Sequence, residues 1–74
     1  MKEALLNLFT NFCENEYKHS LIAIEMEYGD VKKGIECSLQ RCLGVAFFLQ
    51  SLDVPYEDID KVYSKYREKF YELL

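Results

Sequence analysis

The chain has 74 residues, half of them apolar and eleven of them Tyr or Phe, with 13 acidic against 9 basic side chains and a net charge of −4. That length allows one core and no second domain, and the apolar share excludes the charge-rich composition that keeps chains unfolded. The negative balance argues against general binding to phosphate backbones, whose affinity comes from Lys and Arg displacing counterions.

A chain this small hides only about 60 to 65% of its unfolded surface, so a second copy or another partner that covers more of it is expected. Charge is uneven, summing to −4 over Met1–Asp30, +2 over Val31–Leu52 and −2 over Asp53–Leu74. In the middle segment Lys32, Lys33 and Arg41 are scattered, as on a solvated helix face. Cys13, Cys37 and Cys42 lie within apolar helical patterns, and an odd count without a secretory signal predicts reduced thiols. Asn7, Thr10, Asn11 and Glu14 interrupt the N-terminal apolar residues, and no stretch reaches the ~18 needed to span a bilayer. A soluble, cytoplasmic protein is expected.

Gly29-Asp30 and Asp53-Val54-Pro55 are the strong punctuation and cut the chain into three. In the first segment Leu6, Phe9, Cys13, Tyr17, Leu21, Ile24 and Tyr28 recur at steps of three or four, the spacing that lines one helix face. One helix from Lys2 to Tyr28 is the favoured reading. A break at His19-Ser20, with Ser20 as a cap, and a short strand over Ile22–Tyr28 are the alternatives. Gly29 is expected to close the helix in the left-handed conformation.

Asp30 is placed to cap a second helix running to about Leu52. Val31, Ile35, Leu39, Leu43, Ala46 and Leu49 form its apolar stripe, and Gly34, Ser38, Cys42 and Ala46 form a ridge of small residues that lets axes approach. Gly44 costs about 1 kcal/mol against Ala inside a helix and hints at close packing. Leu43 to Leu49 is apolar throughout, so it covers every direction around the axis, the mark of a helix central in a core or sandwiched between partners.

Pro55 suits the first turn of a third helix. Its inward stripe is Ile59, Val62, Tyr63, Tyr66, Phe70, Leu73 and Leu74, and Glu57, Asp58 and Asp60 meet the positive end of its dipole. The expected fold is therefore all-α: a small three-helix bundle, a single helical domain over 1–74, with a long first helix and antiparallel second and third helices.

Chemistry-bearing constellations are weak. Cys13, His19, Cys37 and Cys42 are the residue types zinc accepts, but they lack the paired ligands two to four apart of structural sites. His19 is the only base available to a Cys or Ser nucleophile, and no glycine-rich strand-to-helix turn frames one. Glu25 and Glu27 point to opposite sides of a helix, and the acids at 57–60 are accounted for by the dipole. No catalytic residue, metal ligand or cofactor site is assigned, and an enzyme is not expected.

From Val45 to Tyr63 the order helix, short turn, helix resembles a DNA-binding helix-turn-helix, with Leu52, Val54, Ile59 and Val62 at its apolar positions. Asp53 stands where that turn usually has Gly, and Tyr56-Glu57-Asp58 would present acid to the groove. The resemblance implies a nucleic-acid-linked regulator, which would either read DNA or occupy a basic site on a DNA-binding protein. The favoured function is a protein–protein interaction or regulatory module acting as a homodimer, with Leu43, Phe47, Phe48, Tyr63, Tyr66 and Phe70 as its interface.

Overall fold

The structure, a computed structural model, describes residues 2–27 and 29–74. Three helices follow in order: α1 (Lys2–Glu25), α2 (Val31–Ser51) and α3 (Tyr56–Leu73). All three pack against one another, which makes the all-α three-helix bundle expected from periodicity.

Helix α1 passes unbroken through His19 and Ser20, and Ile22 to Glu25 are helical rather than extended. Its buried line is Phe9, Cys13, Glu16 and Ser20, still at steps of four and three but departing from the expected apolar stripe after Cys13. Leu21 is exposed, Tyr17 and Ile24 are half-buried, and Tyr28 lies outside the described residues. The departure has a partner-based cause, because Arg41 on α2 reaches Glu16 and makes its burial tolerable. Ser20 is mid-helix and caps nothing.

The helix also ends before Gly29. Glu27, at φ 51, takes up the left-handed conformation first, its N–H bonding to the Ile24 carbonyl at 3.2 Å, and Gly29 follows at φ 66. Asp30 then caps α2 as the sequence predicts, accepting the Lys33 N–H at 3.2 Å.

At the far end of α2 the Val54 N–H returns to the Leu49 carbonyl at 3.2 Å and Asp53 stands at φ 65. Asp53 thus occupies the left-handed position glycine usually fills after a helix, while Val54 folds inward and is buried. Pro55 sits at the cap of α3, one residue ahead of the first turn in which it was expected. Lys2 reaches Asp58 at 3.1 Å and ties the start of α1 to the start of α3.

The Cα envelope measures 39 × 16 × 16 Å. Helices of 21 and 18 residues are ~31 and ~27 Å long at ~1.5 Å per residue, so both must run along the long axis. Helix α3 therefore lies beside α2 rather than crossing it.

Accessible surface totals 5278 Å², about a tenth above the ~4,800 Å² expected of a compact monomer of this mass. The core is filled by Phe9, Ile35, Leu39, Leu49, Ile59 and Phe70 with the two buried thiols. Several large side chains are left outside it, Phe47, Phe48 and Tyr56 among them.

Candidate functional site

The outward face of α2 is the first of these places. Phe47 and Phe48, three and four residues beyond Gly44, are each 62% exposed, and Gly44 itself is exposed. A Cβ built on Gly44 would meet nothing within 4 Å. The close packing that Gly44 suggested is therefore absent within the chain: its missing side chain leaves a notch on the outside, flanked by two aromatic rings.

Cys37, Gly44 and Ser51 recur every seven residues, two helical turns, and all three are exposed on this side of the helix. From Cys37 to Ser51 the one charged side chain is Arg41, whose guanidinium is engaged by Glu16.

Beside this strip, on the α3 side, a groove of ~220 Å³ is lined by Leu43, Phe47, Tyr56, Ile59, Tyr63 and Arg67. Of the six expected interface residues, then, Phe47 and Phe48 are exposed, and Leu43 and Tyr63 are half-buried in the groove wall. Tyr66 and Phe70 belong elsewhere. They are 3% and 0% exposed and pack in the core, because α3 presents that edge of its stripe to α1. Tyr56, exposed beside the groove, was missed by periodicity. Lying immediately after Pro55, in the first turn of α3, it falls outside the inward stripe.

The α1–α3 seam explains the burial of Tyr66. Its hydroxyl donates to Glu14 Oε2 at 2.6 Å, and Lys69 Nζ lies 4.0 Å from the same oxygen. The Lys69 ammonium also stands 4.8 Å from the Tyr17 ring centroid, and Tyr17 meets Phe70 edge to face at 5.5 Å. Burial, then the Glu14 hydrogen bond, push the Tyr66 phenol up to about 12. The same bond from Tyr66 holds the Glu14 carboxyl below its ordinary value.

Both shifts have stability consequences of determined sign. The raised phenol contributes stability in full below the unfolded value near 10 that is lost as pH rises through about 12. The lowered carboxyl contributes stability above the usual carboxylate range that is lost as pH falls through its depressed value. Urea midpoints measured from acid to pH 12 should show both limbs, and Tyr66→Phe should flatten both together.

The thiols and the lone histidine do not assemble. Cys13 and Cys42 lie side by side in the core between α1 and α2, whereas Cys37 and His19 are exposed on their separate helices. Among the described residues no three His, Cys, Asp or Glu side chains converge as metal ligands would. Hydrogen bonding with Cys42, then burial, push the Cys13 thiol far above its ordinary range, which keeps it protonated and chemically quiet.

A polar cluster spans α1 and α2. Arg41 Nε is bonded to Glu16 Oε1, and Arg41 Nη2 donates to Glu16 Oε2 at 3.4 Å and to Ser38 Oγ at 3.2 Å. No described helix is long and apolar enough to cross a membrane. Compared with known protein families, curated proteins and solved structures, the chain matches none.

Proposed function

We propose that the protein is a non-enzymatic interaction module that works as a homodimer, joined through the outward face of α2. The observation that carries this reading is the pair Phe47 and Phe48, left 62% exposed on either side of an outward-facing Gly44. Gly44 costs about 1 kcal/mol in a helix, and nothing within the chain recovers that cost. A second helix laid into the notch would.

The face supplies both parts of a self-complementary contact. Its projecting rings are matched by a neighbouring groove of ~220 Å³, so two copies related by a two-fold axis can each insert a ring into the other, as an isologous interface requires. Phe47, Phe48 and Tyr56, each 62% exposed, leave on the order of 350 Å² of ring surface uncovered, given ~150–250 Å² per aromatic side chain. That is close to half of the ~800 Å² each partner contributes to a standard interface. On the strip itself the one charged residue is Arg41, engaged by Glu16, while the groove wall carries one charge of each sign, Asp60 and Arg67; interface cores are depleted of charge.

Sedimentation equilibrium at micromolar concentration tests the proposal. A mass twice the 8.8 kDa of the chain is expected; a clean monomer throughout that range would remove the reading. The protein's work in the cell is then to present its remaining surfaces in pairs.

A further inference from the structure

The charges of α3 divide by side. Toward α1, Asp58 is paired with Lys2 at 3.1 Å and Lys69 lies 4.0 Å from Glu14. Toward α2, Asp60 and Arg67 line the groove together with Tyr63, and neither forms an ion pair among the described residues.

The single chain does not account for either charge. Helix α3 begins at Tyr56, so its first-turn acids are Glu57 and Asp58. Asp60 stands beyond that turn, where the pull of the helix dipole has fallen off, which corrects the joint assignment of the acids at 57–60 to the dipole. Asp60 is half-buried and accepts a hydrogen bond from Ser64 Oγ at 3.2 Å, while Arg67 is exposed, its guanidinium 5.9 Å from the Tyr71 ring. No basic residue stands three or four positions from Asp60, and no acidic residue three or four from Arg67, the spacings at which helix side chains meet. Helix α2 supplies no counterion either, since from Cys37 to Ser51 its one charged side chain is Arg41, engaged by Glu16.

The two charges are placed to satisfy each other across a second copy. Residues seven apart complete about two turns, so Asp60 and Arg67 share a face ~10.5 Å apart along the axis. Their midpoint falls at Tyr63 and Ser64. A two-fold axis through that midpoint brings Asp60 of one copy to Arg67 of the other and, by the same rotation, Arg67 to Asp60, because an isologous contact is always made twice. An acid and a base on one groove wall are thus self-complementary, whereas two acids or two bases there would repel.

We propose that Asp60 and Arg67 set the register and the choice of partner in the homodimer, each pairing with its opposite in a second copy of this chain. The inference rests on the dimer reading above and names what its groove selects for: a second copy, held by two reciprocal ion pairs that flank the inserted ring. An exposed pair adds little attraction of its own, while like charges forced together across an interface are strongly unfavourable. The pair therefore acts on specificity, accepting one register and rejecting surfaces whose charges fall out of step.

The test uses three variants of the full chain, Asp60→Lys, Arg67→Glu and the two combined, with intact helix checked by circular dichroism. Each single variant sets like charges opposite one another twice, and its self-association in the ultracentrifuge should weaken at least about tenfold. The combined variant exchanges the signs and keeps the complementarity, so it should dimerise within about threefold of the parent, the signature of two residues coupled to one another. An equimolar mixture of the two single variants should dimerise as well, whereas the combined variant and the parent should not pair with each other. Arg67 is exposed, so Arg67→Glu reads the repulsion even where Asp60→Lys loosens the fold. The inference is overturned if Arg67→Glu associates as tightly as the parent, or if the combined variant is as weak as the single ones. In either case a parent dimer that is lost in Phe47→Ser with Phe48→Ser leaves the α2-face reading standing, while a parent that stays monomeric removes both.

Discussion

Replacing Phe70 by Ala should unfold most of the protein at room temperature, whereas replacing both Phe47 and Phe48 by Ser should leave it folded and abolish the proposed self-association. Phe70 is fully buried and holds Tyr17 edge to face across the α1–α3 seam. Truncating such a ring costs ~3–5 kcal/mol in lost transfer energy and residual cavity. A 74-residue chain has a total stability of roughly 4–11 kcal/mol at the usual ~0.05–0.15 kcal/mol per residue, so the loss consumes much or all of it. Far-UV circular dichroism with urea titration reads this directly.

Loss of the two rings on the outer face of α2 has the opposite expected result, because Phe47 and Phe48 are each already 62% exposed. Removing them sacrifices little folding energy, and Ser on an exposed helix costs only about half a kcal/mol in propensity. Helix content should stay within error of the parent, while the weight-average mass drops to that of one chain. Loss of helix in the double variant would mean that these rings serve the fold of the single chain, and the α2 face would lose its claim to be an interface.

The contrast between Phe47 and Phe70 also marks what could be read from the residues alone. Helix number, order and approximate ends follow from spacing and caps: Asp30 caps α2, and the Gly29 and Asp53 regions turn the chain. The all-apolar run at Leu43–Leu49 showed that no single face could bury all of it, and Phe47 and Phe48 are the large side chains of that run left exposed. A stripe on α3, however, does not say which of its edges meets α1. Tyr66 and Phe70 were therefore indistinguishable from Tyr63 until the helices were placed.

Glu16 and Ser20 were illegible for a different reason. Their spacing from Phe9 and Cys13 is as regular as that of any apolar stripe, but polarity hides it, and burial of a carboxylate makes sense only once Arg41, 25 residues away in the chain, is seen beside it. Gly34 and Gly44 show the limit of composition in the same way. Both weaken α2 locally, and both lie against open space rather than in a close helix crossing.

Arg41 is where the second large effect is expected, and its sign depends on which partner is removed. Glu16 keeps only 11% of its side chain exposed, whereas Arg41 keeps 56%. Arg41→Met leaves a carboxylate buried between α1 and α2 without its counterion, while Ser38 loses its donor. Breaking a buried pair in this way costs ~3–5 kcal/mol when both partners are enclosed; with Arg41 half in solvent, about 2 kcal/mol at neutral pH is the appropriate expectation.

The loss should be recoverable by removing the stranded carboxylate as well. Combining Arg41→Met with Glu16→Gln removes the stranded charge altogether, and because replacing both members of a buried pair is often close to neutral, the double variant should be more stable than Arg41→Met alone. If instead the single variant is unaffected, Glu16 is not desolvated, and the bend of the α1 core stripe through Glu16 and Ser20 has some cause other than this pair.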